Sequence, residues 1–182
     1  MLKQQLERDS EEVLKRWRAR ILETYPDQTA RFLASEKDEF ANPIGHAIHR
    51  DTRDLLSELT AGLDLGRARR ALEGVVRIRA VQGMPPSEAI GFIPLLKDVV
   101  RERAALLPQT DELRGEVRAL EADVDKLLLA SLDVFVACRE SIHDVAQSQL
   151  KSMVHVLIER ANRGKARDRA PSESEAREPR TT

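Results

Sequence analysis

The apolar positions of this chain recur every three or four residues, the spacing of one face of an α-helix, and never alternate as in a half-buried strand. The longest such run begins near Asp111. Leu113, Val117, Leu120, Val124 and Leu127 form one stripe, which drifts through Leu132, Phe135, Ile142, Ala146, Leu150, Met153 and Leu157. No proline interrupts it and Gly115 is its only early glycine, so the spacing predicts a single helix from about Asp111 to about Arg163. At ~1.5 Å of rise per residue, such a helix outruns the width of one globule. Part of it needs a second surface, most simply the same helix of another copy. A homodimer is expected.

Shorter helices precede it. Leu6, Val13, Leu14, Trp17, Ile21 and Leu22 share one face of a helix over Leu2–Thr24, while Glu7, Arg8, Glu11, Glu12, Lys15, Arg16 and Arg18 fill its other sides. Tyr25-Pro26 ends it, because the residue before a proline disfavours helix. A short helix from Pro26 to about Ala34 brings Ala30, Phe32 and Leu33 into the core, and a polar connection follows. Asn42 suits an N-cap and Pro43 the first helical position of a helix reaching about Thr60. Phe40 is placed to fold back on that helix, and Gly62 stops it. Helices over Leu65–Gln82 and from Pro86 or Ser87 to Leu107 come next, separated by Gly83-Met84-Pro85. Pro94 should kink the second. Thr110 or Asp111 caps the long helix. From Gly164 to Thr182 no periodic apolar residue remains, which predicts a disordered tail. The expected fold is all-α, one domain over residues 1–163 with a tail at 164–182.

Composition narrows the function classes. A net charge of −1 gives no electrostatic case for nucleic acid. Aromatic residues make up 3%, too few for base-stacking platforms or sheet sandwiches, while the 34% charged residues of mixed sign suit solvated helix faces. Cys138 is the only cysteine, so neither an intrachain disulfide nor a cysteine zinc cluster can form, and it reads as a small buried thiol. The charged, periodic N-terminus is unlike a secretory signal, and no apolar run approaches the ~18–20 residues that span a bilayer. A soluble cytoplasmic protein is expected.

Candidate chemistry is sparse. His46 and His49 are close on one helix, but their acidic neighbours Glu39, Asp51 and Asp54 are what a solvated helix surface ordinarily supplies, so no metal is expected. His143 and His155 lie more than three turns apart. His46 or His143 as a single axial haem ligand is the one cofactor alternative. Arg67, Arg69, Arg70, Arg77 and Arg79 make one helix basic, which suits an anion pocket or, more commonly, a salt-bridged face. Asp98 with Glu102, and Glu121 with Asp125, are carboxylate pairs with no nucleophile nearby. No G-x-S-x-G, phosphate-cradling glycine loop or Cys/His arrangement is present. An enzyme is not supported.

Three elements in order resemble a known family. They are Tyr25-Pro26 with Ala30, Phe32 and Leu33; then Phe40-Ala41-Asn42-Pro43-Ile44-Gly45; then Ile78-Arg79-Ala80-Val81-Gln82 with Pro86-Ser87, Ala89 and Leu95-Leu96-Lys97. Val136-Ala137-Cys138-Arg139-Glu140 and Glu159-Arg160-Ala161-Asn162 extend the likeness, which covers about residues 10–163. The chain resembles the RsbRD N-terminal domain, named for an RsbT co-antagonist of bacterial stress signalling. The resemblance implies a globin-like helical module without haem, dimeric, whose long helix leads to a STAS output domain. No room for a STAS domain follows Arg163, so the stand-alone input module is expected, with a protein signalling partner. Stand-alone relatives beside sulfur-metabolism electron-transfer genes suggest a structural adaptor as the alternative. The chain departs from the family at Gly83-Met84-Pro85, where an acidic residue, an aromatic and a Ser/Thr cap are expected, and at Pro94, where relatives carry an apolar residue. From residue chemistry and family position together, Trp17, Phe40, Arg79 and Gln82 are the candidate ligand site.

Overall fold

The computed structural model describes residues 1–35 and 41–168. The fold-back expected of Phe40 and the tail expected over residues 169–182 lie outside the described residues. The described residues form α1 (Leu2–Arg8), α2 (Ser10–Glu23), α3 (Asp27–Ser35), α4 (Pro43–Ala61), α5 (Leu65–Val81), α6 (Pro86–Ile90), α7 (Leu95–Ala104) and α8 (Asp111–Asp168). No strand occurs among them, and the architecture is an all-α helical bundle with a long C-terminal helix. The chain divides into two compact units, Met1–Glu140 and Ser141–Thr182.

In the first unit the apolar stripes meet in one core. Leu14, Trp17 and Ile21 of α2, Leu55 and Leu59 of α4, Leu72 and Val76 of α5, and Leu96 and Val99 of α7 are all buried. From α8, Leu113, Leu120, Val124 and Leu127 close it, the same stripe that the spacing selects. Thr110 is the cap of α8, its hydroxyl accepting the Leu113 N–H at 3.1 Å. The last helix runs on to Asp168, past the expected end near Arg163. In the second unit every side chain from Ser141 to Arg160 is exposed.

Expectations in the first half of the chain need correction at four residues. The first helix is broken at Asp9, whose backbone (φ −95, ψ 17) leaves the helical region. Its carboxylate accepts from Gln5 Nε2 at 2.9 Å and pairs with Arg103 of α7, so a polar tether re-aims α1 and buries Leu2 and Leu6. Phe32 is 52% exposed, and only Leu33 carries α3 into the core. Arg18 leaves the solvated face: its Nε donates to Thr52 Oγ1 at 2.9 Å and its Nη2 to the His49 carbonyl at 2.7 Å. Asp51 belongs to no helix surface, being 1% exposed.

Asp51 and Gly74 set the crossing of α4 with α5. One Asp51 oxygen accepts the Val75 N–H at 2.8 Å and the other accepts Arg50 Nε at 2.9 Å. Burial holds this carboxyl above its ordinary value, with the Arg50 hydrogen bond opposing. A Cβ at Gly74 would stand 2.1 Å from the Asp51 carboxylate, so hydrogen here is what lets the carboxylate reach the α5 backbone.

The Asn42-Pro43-Ile44-Gly45 stretch is a two-helix clamp. Asn42 Oδ1 accepts the Gly45 N–H at 2.8 Å, capping α4, while Nδ2 donates to the Phe32 and Leu33 carbonyls at 3.3 and 3.1 Å, capping α3. A side chain at Gly45 would collide with the Leu33 carbonyl. Because Asn42 is fully buried, Asn42→Ala strands groups at both helix ends. It is expected to cost about 2–3 kcal/mol, more than an ordinary cap at about 1. Urea unfolding measures this; a loss below about 1 kcal/mol would remove the clamp.

The expected kink at Pro94 is a complete break. Turns at residues 91–94 separate α6 from α7. Proline has no N–H to donate, and Ile93 N–H turns to Ile90 O at 3.1 Å while Leu96 N–H turns to Ile93 O at 3.1 Å. The carbonyls of Ala89 and Phe92 thereby lose those N–H groups as helical partners.

Candidate functional site

Those carbonyls are taken up by two buried side chains from other helices. Trp17 of α2 donates its indole N–H to the Phe92 carbonyl at 2.8 Å and stacks on the Phe92 ring, centroids 6.4 Å apart at 24°. Arg79, in the last turn of α5, donates Nη1 to the Glu88 carbonyl at 3.0 Å and to that of Ala89 at 3.5 Å. The chain reaches this position through Gly83, whose φ of +75 is the left-handed turn that glycine adopts without strain. Met84 N–H then returns to the Arg79 carbonyl at 3.2 Å.

The Arg79 guanidinium is fully buried. Its Nε donates to the Tyr25 hydroxyl at 2.8 Å, and its carbon lies 4.9 Å from the Tyr25 ring centroid and 5.1 Å from that of Phe92. Its described partners are therefore carbonyls, a hydroxyl and two aromatic faces, with no carboxylate. Nη2 is buried with no hydrogen-bond partner among the described residues. Burial lowers the Arg79 pKa from its ordinary value, with Tyr25 partly opposing. Rings can hold a desolvated cation, but they do not neutralise it.

Of the four residues selected from sequence, the structure brings two together. Trp17 and Arg79 meet around Phe92. Gln82 is exposed just past α5, and Phe40 lies outside the described residues. Tyr25 and Phe92 are the members that sequence reasoning missed. A usable signal was present in Pro94, which frees nearby carbonyls and so calls for buried donors.

The remaining candidates take ordinary structural parts. Arg67 pairs with Glu58 at 2.8 Å and Arg69 with Asp133 at 2.5 Å, the salt-bridged face. Asp98 and Glu102 pair with arginines of α2 and α7, and Glu121 and Asp125 hold Arg101 and Lys97 at 2.6 Å. His46 is half-buried; His143 is exposed with its ring 2.9 Å from Gln147. Among the described residues no three His, Cys, Asp or Glu side chains converge as a metal site, and no helix is long and apolar enough to cross a membrane. Cys138 is half-buried against the core.

The family model described as the RsbT co-antagonist protein rsbRD N-terminal domain matches residues 11–150. The chain belongs to this family. The match runs from α2 into α8 and takes in every residue of the Trp17–Arg79 cluster. At the level of the family, the RsbRD N-terminal domain is a regulatory module. No curated protein and no solved structure matches the chain.

Proposed function

We propose that this RsbRD N-terminal domain is a non-enzymatic cytoplasmic sensory module that works without a cofactor, dimerises through α8 and relays a signal along it to a protein partner. The observation that carries the relay is a contact inside the first unit. Arg139 of α8 donates Nη1 to the carbonyl of Ala80 at 3.3 Å, the residue next to Arg79. The backbone of the residue that carries the buried guanidinium is thus one peptide unit from the carbonyl that a side chain of the output helix holds. Relay requires two arrangements of that element whose balance a signal shifts.

Dimerisation is supported by the second unit. Ile142, Leu150, Met153 and Leu157 recur at helical spacing, and the last three are 62%, 63% and 60% exposed. A single helix has no core of its own to cover such a stripe, and a second copy supplies the matching one. Sedimentation analysis of the full chain is expected to give a dimer at micromolar concentration. Leu150→Glu combined with Leu157→Glu should give a monomer while the helical signal and the thermal transition of the first unit persist. A monomeric wild-type chain would overturn the pairing.

A further inference from the structure

Arg79 has five N–H donors, and the structure spends only part of them. Nε is used on Tyr25, and Nη1 on the Glu88 and Ala89 carbonyls. Nη2, buried, has no acceptor among the described residues. The Tyr25 hydroxyl accepts from Nε, and its own hydrogen has no acceptor among its described contacts. The two N–H groups of Nη2, the Tyr25 O–H and one uncompensated positive charge are therefore left unspent around this guanidinium. Tyr25 is half-buried whereas Trp17, Arg79 and Phe92 are fully buried, so solvent approaches from the Tyr25 side.

We infer that the Nη2 edge of Arg79 and the Tyr25 hydroxyl form a binding site for a small monocarboxylate, its oxygens on these two groups and its organic part against the half-buried ring of Tyr25. The charge selects the class. A single guanidinium with no second cation in contact balances one negative charge, and a phosphate dianion would bury an excess. The flat, donor-rich guanidinium matches carboxylate geometry, and the half-buried Tyr25 ring favours an organic acid over a bare inorganic ion. The site deepens the sensory reading proposed above, since a carboxylate drawn to Nη2 pulls on the residue beside Ala80 and hence on Arg139. Binding itself does not depend on that reading.

The test uses the full-length chain and sodium benzoate, with sodium acetate and sodium phosphate as comparisons and sodium chloride holding ionic strength constant. Trp17 is the only tryptophan and stacks on Phe92, so its fluorescence reports occupancy directly. The expected result is a saturable change with benzoate, weaker affinity for acetate, and no saturation with phosphate. Tyr25→Phe removes one donor while leaving Arg79 and both rings, and should weaken benzoate about tenfold. Arg79→Lys should abolish saturation, and if that variant does not fold, Tyr25→Phe decides alone. Gln82→Ala, exposed and outside the cluster, should bind as the wild type does. A benzoate response no greater than that of chloride, an unchanged affinity in Tyr25→Phe, or phosphate binding more tightly than benzoate would each overturn the site. Sedimentation and intermolecular spin-label distances on α8, measured with and without benzoate, separate the two proposals. A saturable fluorescence change with α8 unaltered keeps the site and removes the relay, whereas a dimer whose Trp17 fluorescence gives no saturable response to benzoate removes the site and leaves the dimer standing.

Discussion

Trp17→Ala is expected to lower the stability of the first unit by about 3–5 kcal/mol, the range for deleting a fully buried large aromatic. Three losses coincide at this position. The indole is completely enclosed, so its removal leaves a void that helices held on several sides cannot close. The stack on Phe92 disappears, and the Phe92 carbonyl loses its donor at 2.8 Å. That carbonyl has no helical replacement, because Leu96 N–H is committed to Ile93. Trp17→Phe separates the parts: it retains most of the ring volume and discards the N–H, and should cost about 1–3 kcal/mol, the range for a buried acceptor left unsatisfied. Urea unfolding followed by circular dichroism measures both. A Trp17→Ala chain within about 1 kcal/mol of wild type would mean that Trp17 anchors nothing.

Gly74→Ala is the second large effect, and here the sign discriminates. Helix propensity alone makes alanine better than glycine in a helix interior by about 1 kcal/mol. The packing argument predicts the reverse, a loss of about 2–3 kcal/mol, as overpacking a close helix crossing ordinarily gives. The new Cβ would lie 2.1 Å from Asp51 Oδ2 and 2.9 Å from its Cγ. The carboxylate is short and buried, and gives way only by releasing the Val75 N–H. Combining Gly74→Ala with Asp51→Ala should recover most of the loss, because the colliding group is then gone. Thermal unfolding of the two single variants and the double variant gives the coupling. A Gly74→Ala chain as stable as wild type, or more so, would show that α4 and α5 separate freely there.

Much of the fold is legible in the sequence, because helices announce themselves by period and punctuation. Asn42-Pro43 opens α4, Gly62 (φ +111) closes it, and Thr110 opens α8, each as local chemistry dictates. The burial of Leu113, Leu120, Val124 and Leu127 follows from spacing alone. What periodicity does not encode is the use of a polar residue at a crossing. Arg18 and Asp51 sit among charged neighbours in sequence, and only the partner helix decides that they are inside. The break at Asp9 has the same origin, since the tether to Arg103 comes from α7. The candidate site was half legible. Trp17 and Arg79 stand out by type, but the pairing of Tyr25 with Arg79 joins residues far apart in the chain, and Gln82 caps the end of α5 with its side chain exposed, away from that cluster.

The interruption at Pro94 reverses the usual relation between regularity and cohesion. An unbroken helix over residues 86–104 would keep its carbonyls for itself and offer α2 and α5 only a greasy surface to slide upon. Broken, it presents the carbonyl oxygens of Glu88, Ala89 and Phe92 as fixed sockets that accept one indole and one guanidinium in one orientation each. The flaw in one helix is the place where two others are keyed to it.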